Sequence, residues 1–134
     1  MPILLDTDVV IHLRDGEPWI KDEVRRLPAP LHISAITLVE LENGVVREPD
    51  LTQSRRRRLD ELLTFVEALD FGANEIAEYR RILEATGYSR RKVADRMTAA
   101  TAIVHGLTLV TLNGRDFRDV PGLKLIEWDR PEGH

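Results

Sequence analysis

Apolar residues follow two different spacings along the chain. Short apolar runs bounded by polar or turn residues predict five buried strands, at Ile3–Leu5, Leu31–Ile33, Ala68–Phe71, Thr108–Leu112 and Leu123–Trp128. Between the strands, apolar residues recur at helical spacing in three rows: Leu59, Leu62, Leu63 and Val66; Ile76, Tyr79 and Leu83; Val93, Met97, Ala100 and Val104. Strands that alternate with helices predict a three-layer α/β/α domain, with a central, mostly parallel sheet of about five strands.

Breaks in the pattern fall between the predicted elements and do not divide the chain. Pro28 and Pro30 precede the second strand, and Gly87 and Gly106 follow predicted helices. The 134 residues suit one domain with its own core. We therefore expect a single domain over residues 1–129, followed by a loose C-terminal tail at residues 130–134.

The composition is that of an ordinary globular protein. Apolar residues make up 43% of the chain and charged residues 31%, and no apolar run is long enough to span a membrane. The absence of cysteine excludes disulfides and thiolate metal sites. No basic segment precedes an apolar stretch at the N-terminus, so a secretory signal is not expected. These features predict a cytoplasmic protein without a membrane partner.

Charge leaves the question of nucleic acid binding open. A net charge of -4 argues against broad affinity for phosphates. Basic residues nevertheless cluster at Arg55–Arg58, Arg80–Arg81 and Arg90–Lys92. These clusters are either positive walls around an acidic pocket or solvated faces of helices.

Two acids stand where the first and second predicted strands lead into helices. Ligands of open parallel sheets bind beyond the carboxyl ends of the strands, and Asp6 directly follows Ile3–Leu5. We expect Thr7 or Asp8 to cap the next helix, which leaves Asp6 free for function. Ser34 is expected to cap the helix that carries Glu40, whose side chain is predicted to face a crevice.

Two more candidate acids lie later in the chain, one in a predicted helix and one after the fourth predicted strand. Asp95 begins a row with Ala99 and Ala102, whose small side chains would let the helix approach the sheet, and Asp116 lies in the polar turn after the fourth strand. Singly, each acid has an ordinary structural explanation. Together, Asp6, Glu40, Asp95 and Asp116 would repel one another unless a hard cation neutralised them. Oxygen ligands favour Mg²⁺ or Mn²⁺, and the histidines lack the spacing of a zinc site.

The acidic segments also carry motifs that resemble those of the PIN-domain family, and within it the VapC-like toxins of bacterial toxin–antitoxin pairs. The similarity spans nearly the whole chain, at Leu4–Val10, Ile33–Leu41, Asp95, Ala99–Ala102, His105–Thr111, Asn113 and Asp116–Phe117. It implies a metal-dependent endoribonuclease whose acidic pocket comprises Asp6, Glu40, Asp95 and Asp116. Asp6 and Asp95 are then the expected direct ligands of the metal, which activates a water for attack on an RNA phosphodiester.

The resemblance further implies partners and supporting residues. A small antitoxin would cover a hydrophobic groove, to which Trp19 and Ile20 would contribute unless they pack in the core. Homodimerisation is expected from the family. Thr7 and either Thr111 or Asn113 are candidates to hold the carboxylates and the substrate.

Two departures and two alternatives accompany this hypothesis. Asp8 stands where the family most often has Asn, and the segment before Asp95 is basic, so that it could contact RNA phosphates. One alternative is a haloacid-dehalogenase-like phosphatase with Asp6 as nucleophile. It would also need a positioned lysine and a downstream acidic pair, for which Lys92 and Asp116 with Asp119 are poor candidates. The other is a non-catalytic module that binds a partner protein.

Overall fold

The computed structural model describes residues 1–131, so the predicted loose tail lies largely outside the described residues. Its strands are β1 (Ile3–Leu5), β2 (Leu31–Ser34), β3 (Val66–Leu69), β4 (Thr108–Thr111) and β5 (Lys124–Glu127). Its α-helices are α1 (Thr7–Arg14), α2 (Pro18–Arg25), α3 (Ala35–Arg47), α4 (Thr52–Leu62), α5 (Ala73–Thr86) and α6 (Val93–Val104). Short 3-10 turns occupy Pro49–Leu51, Arg90–Lys92 and Gly114–Asp116. Within residues 1–131, no helix is both long and apolar enough to cross a membrane.

The five strands form one sheet in the order β3-β2-β1-β4-β5, and every neighbouring pair is parallel. The central strand is β1, where Ile3 pairs with Leu31 on one side and with Thr108 on the other. The predicted α/β/α architecture is confirmed, and the sheet is wholly parallel. Because all strands run the same way, their carboxyl ends lie along one edge, where the chain continues from β1 into Asp6.

The alternation of side chains along β1 separates two cores. Ile3 and Leu5 point to one face of the sheet and pack with residues of α1 to α4. Leu4 points to the other face and packs with α5, α6 and Phe117. All three residues of β1 are fully buried, as expected for a parallel strand covered on both faces.

The boundary between α4 and β3 differs from the prediction. Val66 matched the helical row that begins at Leu59, but α4 ends at Leu62 and Val66 opens β3, in register with Leu31 of β2. The predicted strand, residues 68–71, was therefore placed two residues too late. Spacing alone misled here because a valine four positions after a helical leucine fits either element, and pairing with β2 decides between them.

Trp19 and Ile20 belong to the core and do not form an open groove. Ile20 is fully buried, and Trp19 is only 9% exposed, within the cluster that also contains Val9 and Leu41. Proline at the first position of α2 fixes the start of that helix, which then turns both side chains inward. The sequence left a hydrophobic groove and core packing as alternatives for this pair, and the structure shows core packing.

Two of the three basic clusters have structural partners. On α4, Arg56 pairs with Glu42 of α3, Arg55 donates to the carbonyl oxygen of Gly44, and Arg58 donates to that of Arg14. The arginines of α5 form ion pairs within their own helix, Arg80 with Glu84 and Arg81 with Glu78. The contacts of the α4 arginines hold α4 against its neighbours. Neither cluster supports a positive wall around a pocket. In the third cluster, Arg90 and Arg91 are exposed.

The position of Ile20 leads to a stability prediction. Ile20→Ala should lower the free energy of unfolding by about 2–4 kcal/mol, because it leaves a cavity in a closed core. Ile76→Ala is the matched control, since Ile76 is 56% exposed on α5 and should change stability by less than about 0.5 kcal/mol. Urea unfolding followed by circular dichroism measures both. Equal effects of the two substitutions would contradict the core position of Ile20.

Candidate functional site

Asp6 joins the central strand to the first helix. Its backbone N–H donates to the carbonyl oxygen of Val110, at 3.0 Å. Its carboxylate caps α1, with Oδ1 accepting from the Thr7 N–H at 2.9 Å and Oδ2 accepting from the Thr111 hydroxyl at 2.7 Å. The expectation that Thr7 or Asp8 would take the capping position is wrong. Asp6 is the cap because the backbone remains extended there and turns helical only at Thr7.

Glu40 lies one turn into α3, half-buried, and is held by a chain of buried hydroxyls. Its Oε1 accepts from the Thr7 hydroxyl at 3.2 Å, and Thr7 Oγ1 lies 2.9 Å from Thr37 Oγ1. Ser34 donates to Thr37 Oγ1 at 3.2 Å and contacts Thr98 Oγ1 at 3.3 Å. Since each hydroxyl carries one proton, the donors run in one direction, from Thr98 through Ser34, Thr37 and Thr7 to the carboxylate.

The predicted Ser34 cap of α3 is confirmed, and Thr7 contacts Glu40, but the other hydroxyls of this series were not predicted. Ser34 caps α3 by accepting from the Thr37 N–H at 3.1 Å. Thr37 and Thr98 gave only a weak signal, as polar residues within otherwise apolar helical segments. Their link is a contact between residues 64 positions apart, Ser34 and Thr98, which periodicity does not reveal.

Burial leaves two of the acids poorly solvated. Burial raises the pKa of Asp6 to about 6, despite the opposing hydrogen bonds from Thr111 and Thr7. Burial also raises the pKa of Asp95, in the first turn of α6, to about 6, and the negative charges of Asp116, Glu40 and Asp8 add to this shift. The pKa of Glu40 is raised as well, first by burial.

Electrostatic interactions connect all four predicted acids. Asp95 is affected by Asp116 and Glu40, and Asp6 is affected by Asp95. Asp8 joins them, since its charge raises the pKa of Asp6, Glu40 and Asp95. Its carboxylate accepts a hydrogen bond from the side-chain amide of Asn113. The structure therefore gathers five acids, one more than the four predicted from the sequence.

The charge of Arg96 lowers the pKa of Asp95, but Arg96 has its own partner. Its guanidinium forms two hydrogen bonds with the carboxylate of Asp119, at 2.8 and 2.9 Å. The Arg96 side chain is only 4% exposed. This pair ties the start of α6 to the segment that follows Asp116. The pair was not predicted from the sequence, although an arginine beside Asp95 in an apolar helix was a usable signal.

The donor set fits a hard divalent cation. Within residues 1–131 no group of three or more histidine or acidic side chains stands ready to hold a metal ion. Mg²⁺ requires less, because it usually keeps several waters and binds through one or two carboxylates together with substrate phosphates. Asp6 and Asp95 offer oxygen ligands in an acidic field that the protein leaves largely uncompensated. Such a field favours Mg²⁺ or Mn²⁺.

Comparison with known proteins finds similar sequences among proteins that are named as nucleases. The chain is 33% identical to Ribonuclease VapC1 of Rickettsia felis, over 94% of this chain and 96% of the relative. It is 28% identical to the tRNA(fMet)-specific endonuclease VapC of Salmonella typhimurium, over 96% and 98%.

Among solved structures, the crystal structure of VapBC2 from Rickettsia felis bound to a promoter DNA fragment contains a chain with a TM-score of 0.85. That chain is 29% identical, and the match covers 96% of this protein and 100% of that chain. The model of the PIN domain matches residues 3–123, which include all four predicted acids. The chain therefore belongs to the PIN domain family.

Proposed function

We propose that this protein is a Mg²⁺-dependent endoribonuclease that acts as the toxin of a toxin–antitoxin pair. The observation that carries the proposal is the cluster of Asp6, Glu40, Asp95 and Asp116 at the carboxyl edge of the sheet, with its charge largely uncompensated. The curated relatives are named as ribonucleases, one of them specific for tRNA(fMet). PIN-domain nucleases of the VapC type depend on a metal in general, and the choice of Mg²⁺, with Mn²⁺ as a substitute, rests on the oxygen-only donor set.

Each acid has a role in this proposal. Asp6 and Asp95 hold the ion, and Glu40 and Asp116 complete the acidic pocket. When bound, a divalent ion activates water and neutralises charge on the phosphodiester. Thr111 fixes one oxygen of Asp6, and Thr7 fixes both Asp6, through its N–H, and Glu40, through its hydroxyl. These donors keep the carboxylates oriented while leaving lone pairs free for the ion.

Partners follow from the same relatives. The solved VapBC structure is a complex, and we propose that this chain likewise binds a small cognate antitoxin. RNA as substrate and a homodimer complete the proposal.

The two alternatives find less support. The phosphatase hypothesis needed Asp119 beside Asp116, but Asp119 is held by Arg96 in a two-bonded ion pair. A non-catalytic binding module would have no use for a cluster of ionisable acids that destabilises the fold at neutral pH. The names of the curated relatives, a ribonuclease and an endonuclease, also favour catalysis.

The proposed roles predict a loss of cleavage without a loss of folding. Asp6→Asn and Asp95→Asn should each lower the RNA cleavage rate at least about a hundredfold, because each removes an anionic ligand. Asp60→Asn changes an exposed acid of α4 and serves as the control with unaltered activity. Mapping of the 5′ ends of total RNA, with Mg²⁺ or with EDTA, measures the effect. Full activity of either site variant would contradict the assignment.

Raised pKa values also predict how stability depends on pH in the absence of metal. Asp6 has a pKa of about 6 in the folded protein, above the usual value of about 4 for an unfolded chain. Its contribution to stability is therefore fully present below about pH 4 and is lost as the pH rises through about 6. In EDTA, the free energy of unfolding of Asp6→Asn relative to the wild type should therefore increase by about 2 kcal/mol as the pH rises from 4 to 7.

The Asn side chain can keep the cap of α1, and the Thr111 hydroxyl can accept in place of donating. Urea unfolding at each pH gives the difference between variant and wild type. A difference that does not change with pH would show that the Asp6 pKa is not raised.

Metal binding should reverse this destabilisation. An ion that binds only the folded, ionised site raises stability by mass action. Added Mg²⁺ should therefore raise the Tm of the wild type more at pH 7.5 than at pH 5, where Asp6 and Asp95 are largely protonated. Differential scanning fluorimetry should show a much smaller increase for Asp95→Asn. An equal increase for that variant would place the bound ion elsewhere.

A further inference from the structure

Both tryptophans of the chain border one cavity beside the acid cluster. The cavity has a volume of about 260 Å³ and lies between α1, α2 and the segments that follow β4 and β5. Its aromatic lining is Trp128 and the largely buried Trp19, and its polar lining is Asp8, His12, Asn113, Asp129 and Arg130.

Asp8 links the cavity to the proposed metal site. Its charge raises the pKa of Asp6, Glu40 and Asp95, so it lies within their field. It also lines the cavity, where it accepts from the Asn113 amide. A group bound in this cavity would therefore lie close to the proposed metal site.

Trp128 is held to β4, the strand that carries Thr111 of the site. Its backbone N–H donates to the carbonyl oxygen of Thr111, at 2.9 Å, and Thr111 in turn donates through its hydroxyl to Asp6. The ring is partly buried against the core, which limits its motion. A partly exposed aromatic ring at a set position beside the acidic edge is suited to stacking.

The lining favours a flat ring with N–H groups over a phosphate. The lining has two carboxylates, Asp8 and Asp129, against one permanent cation, Arg130, so its net negative charge disfavours an anion. Their carboxylates are acceptors, and so is the carbonyl oxygen of Asn113, whose amide nitrogen is already engaged with Asp8. In single-stranded RNA, exposed bases stack on aromatic side chains and present their edges to polar groups.

We infer that this cavity binds one unpaired nucleobase of the RNA, next to the bond that is cut. Because the two carboxylates and the amide oxygen of Asn113 can accept hydrogen bonds from an amino group, the cavity prefers a base with an exocyclic amino group, which adenine, guanine and cytosine have and uracil lacks. This inference rests on the proposed function for its substrate, and its test measures binding separately from cleavage.

The test uses the full chain in EDTA and four tetraribonucleotides, UUXU, in which X is A, C, G or U. Tryptophan fluorescence reports binding directly, because both tryptophans line the cavity. We expect saturable quenching, with at least one amino-bearing X bound about fivefold or more tighter than UUUU. Trp128→Leu should weaken this binding roughly tenfold, whereas Trp128→Phe should retain most of it.

Two further variants separate base recognition from folding. Asp129→Asn changes an exposed lining residue and should reduce the preference for amino-bearing bases without unfolding the protein. Phe65→Leu changes an exposed aromatic residue that precedes β3, at the opposite edge of the sheet, and should bind like the wild type. Thermal unfolding verifies the fold of each variant.

The outcomes distinguish this inference from the proposed function. Equal binding of all four oligonucleotides, or binding unaffected by both Trp128→Leu and Asp129→Asn, overturns the base site even if the protein cuts RNA in Mg²⁺. Selective binding that these variants weaken supports the base site even if no RNA is cut, in which case the proposed function fails alone.

Discussion

The parallel direction of all the strands is the constraint on which the site depends. It brings the end of β1 to the same edge as the starts of α1 and α3 and the turn after β4. Asp6 lies between β1 and α1, and Glu40 lies on α3. Asp116 lies in the turn after β4, and Asp95 lies on α6. Residues separated by more than a hundred positions thus share one electrostatic field, and none of the acids needs a long loop to reach the others.

Two kinds of restraint hold the acids in place. Neutral hydroxyls orient Asp6 and Glu40, through Thr111 and Thr7. On the other side, the ion pair between Arg96 and Asp119 joins α6, which carries Asp95, to the segment after Asp116. Neither restraint cancels the negative charge of the pocket. The protein thus fixes the geometry and leaves the charge available to a cation, at a cost in stability that binding can offset.

Much of this arrangement could be predicted from the sequence because it depends on local patterns. The apolar runs located the strands, and an acid after a strand end marked Asp6. Contacts between distant residues were not visible. The ion pair between Arg96 and Asp119 and the contact between Ser34 and Thr98 depend on how segments meet in space. Val66 was assigned to a helix because its partner strand, not its spacing, determines its conformation. The arginines of α4 looked like a free basic surface because their acceptors lie on other helices.

The directed chain of hydroxyls restricts which sequences can carry this site. Each member between Thr98 and Glu40 both receives and donates a hydrogen bond. Serine and threonine are therefore interchangeable in chemistry at these positions, but valine, although it has the shape of threonine, would interrupt the chain. A buried hydroxyl next to the gap would then lack a partner, at a cost of about 1–3 kcal/mol. A replacement by a residue without a hydroxyl would therefore have to be accompanied by a change in its neighbours.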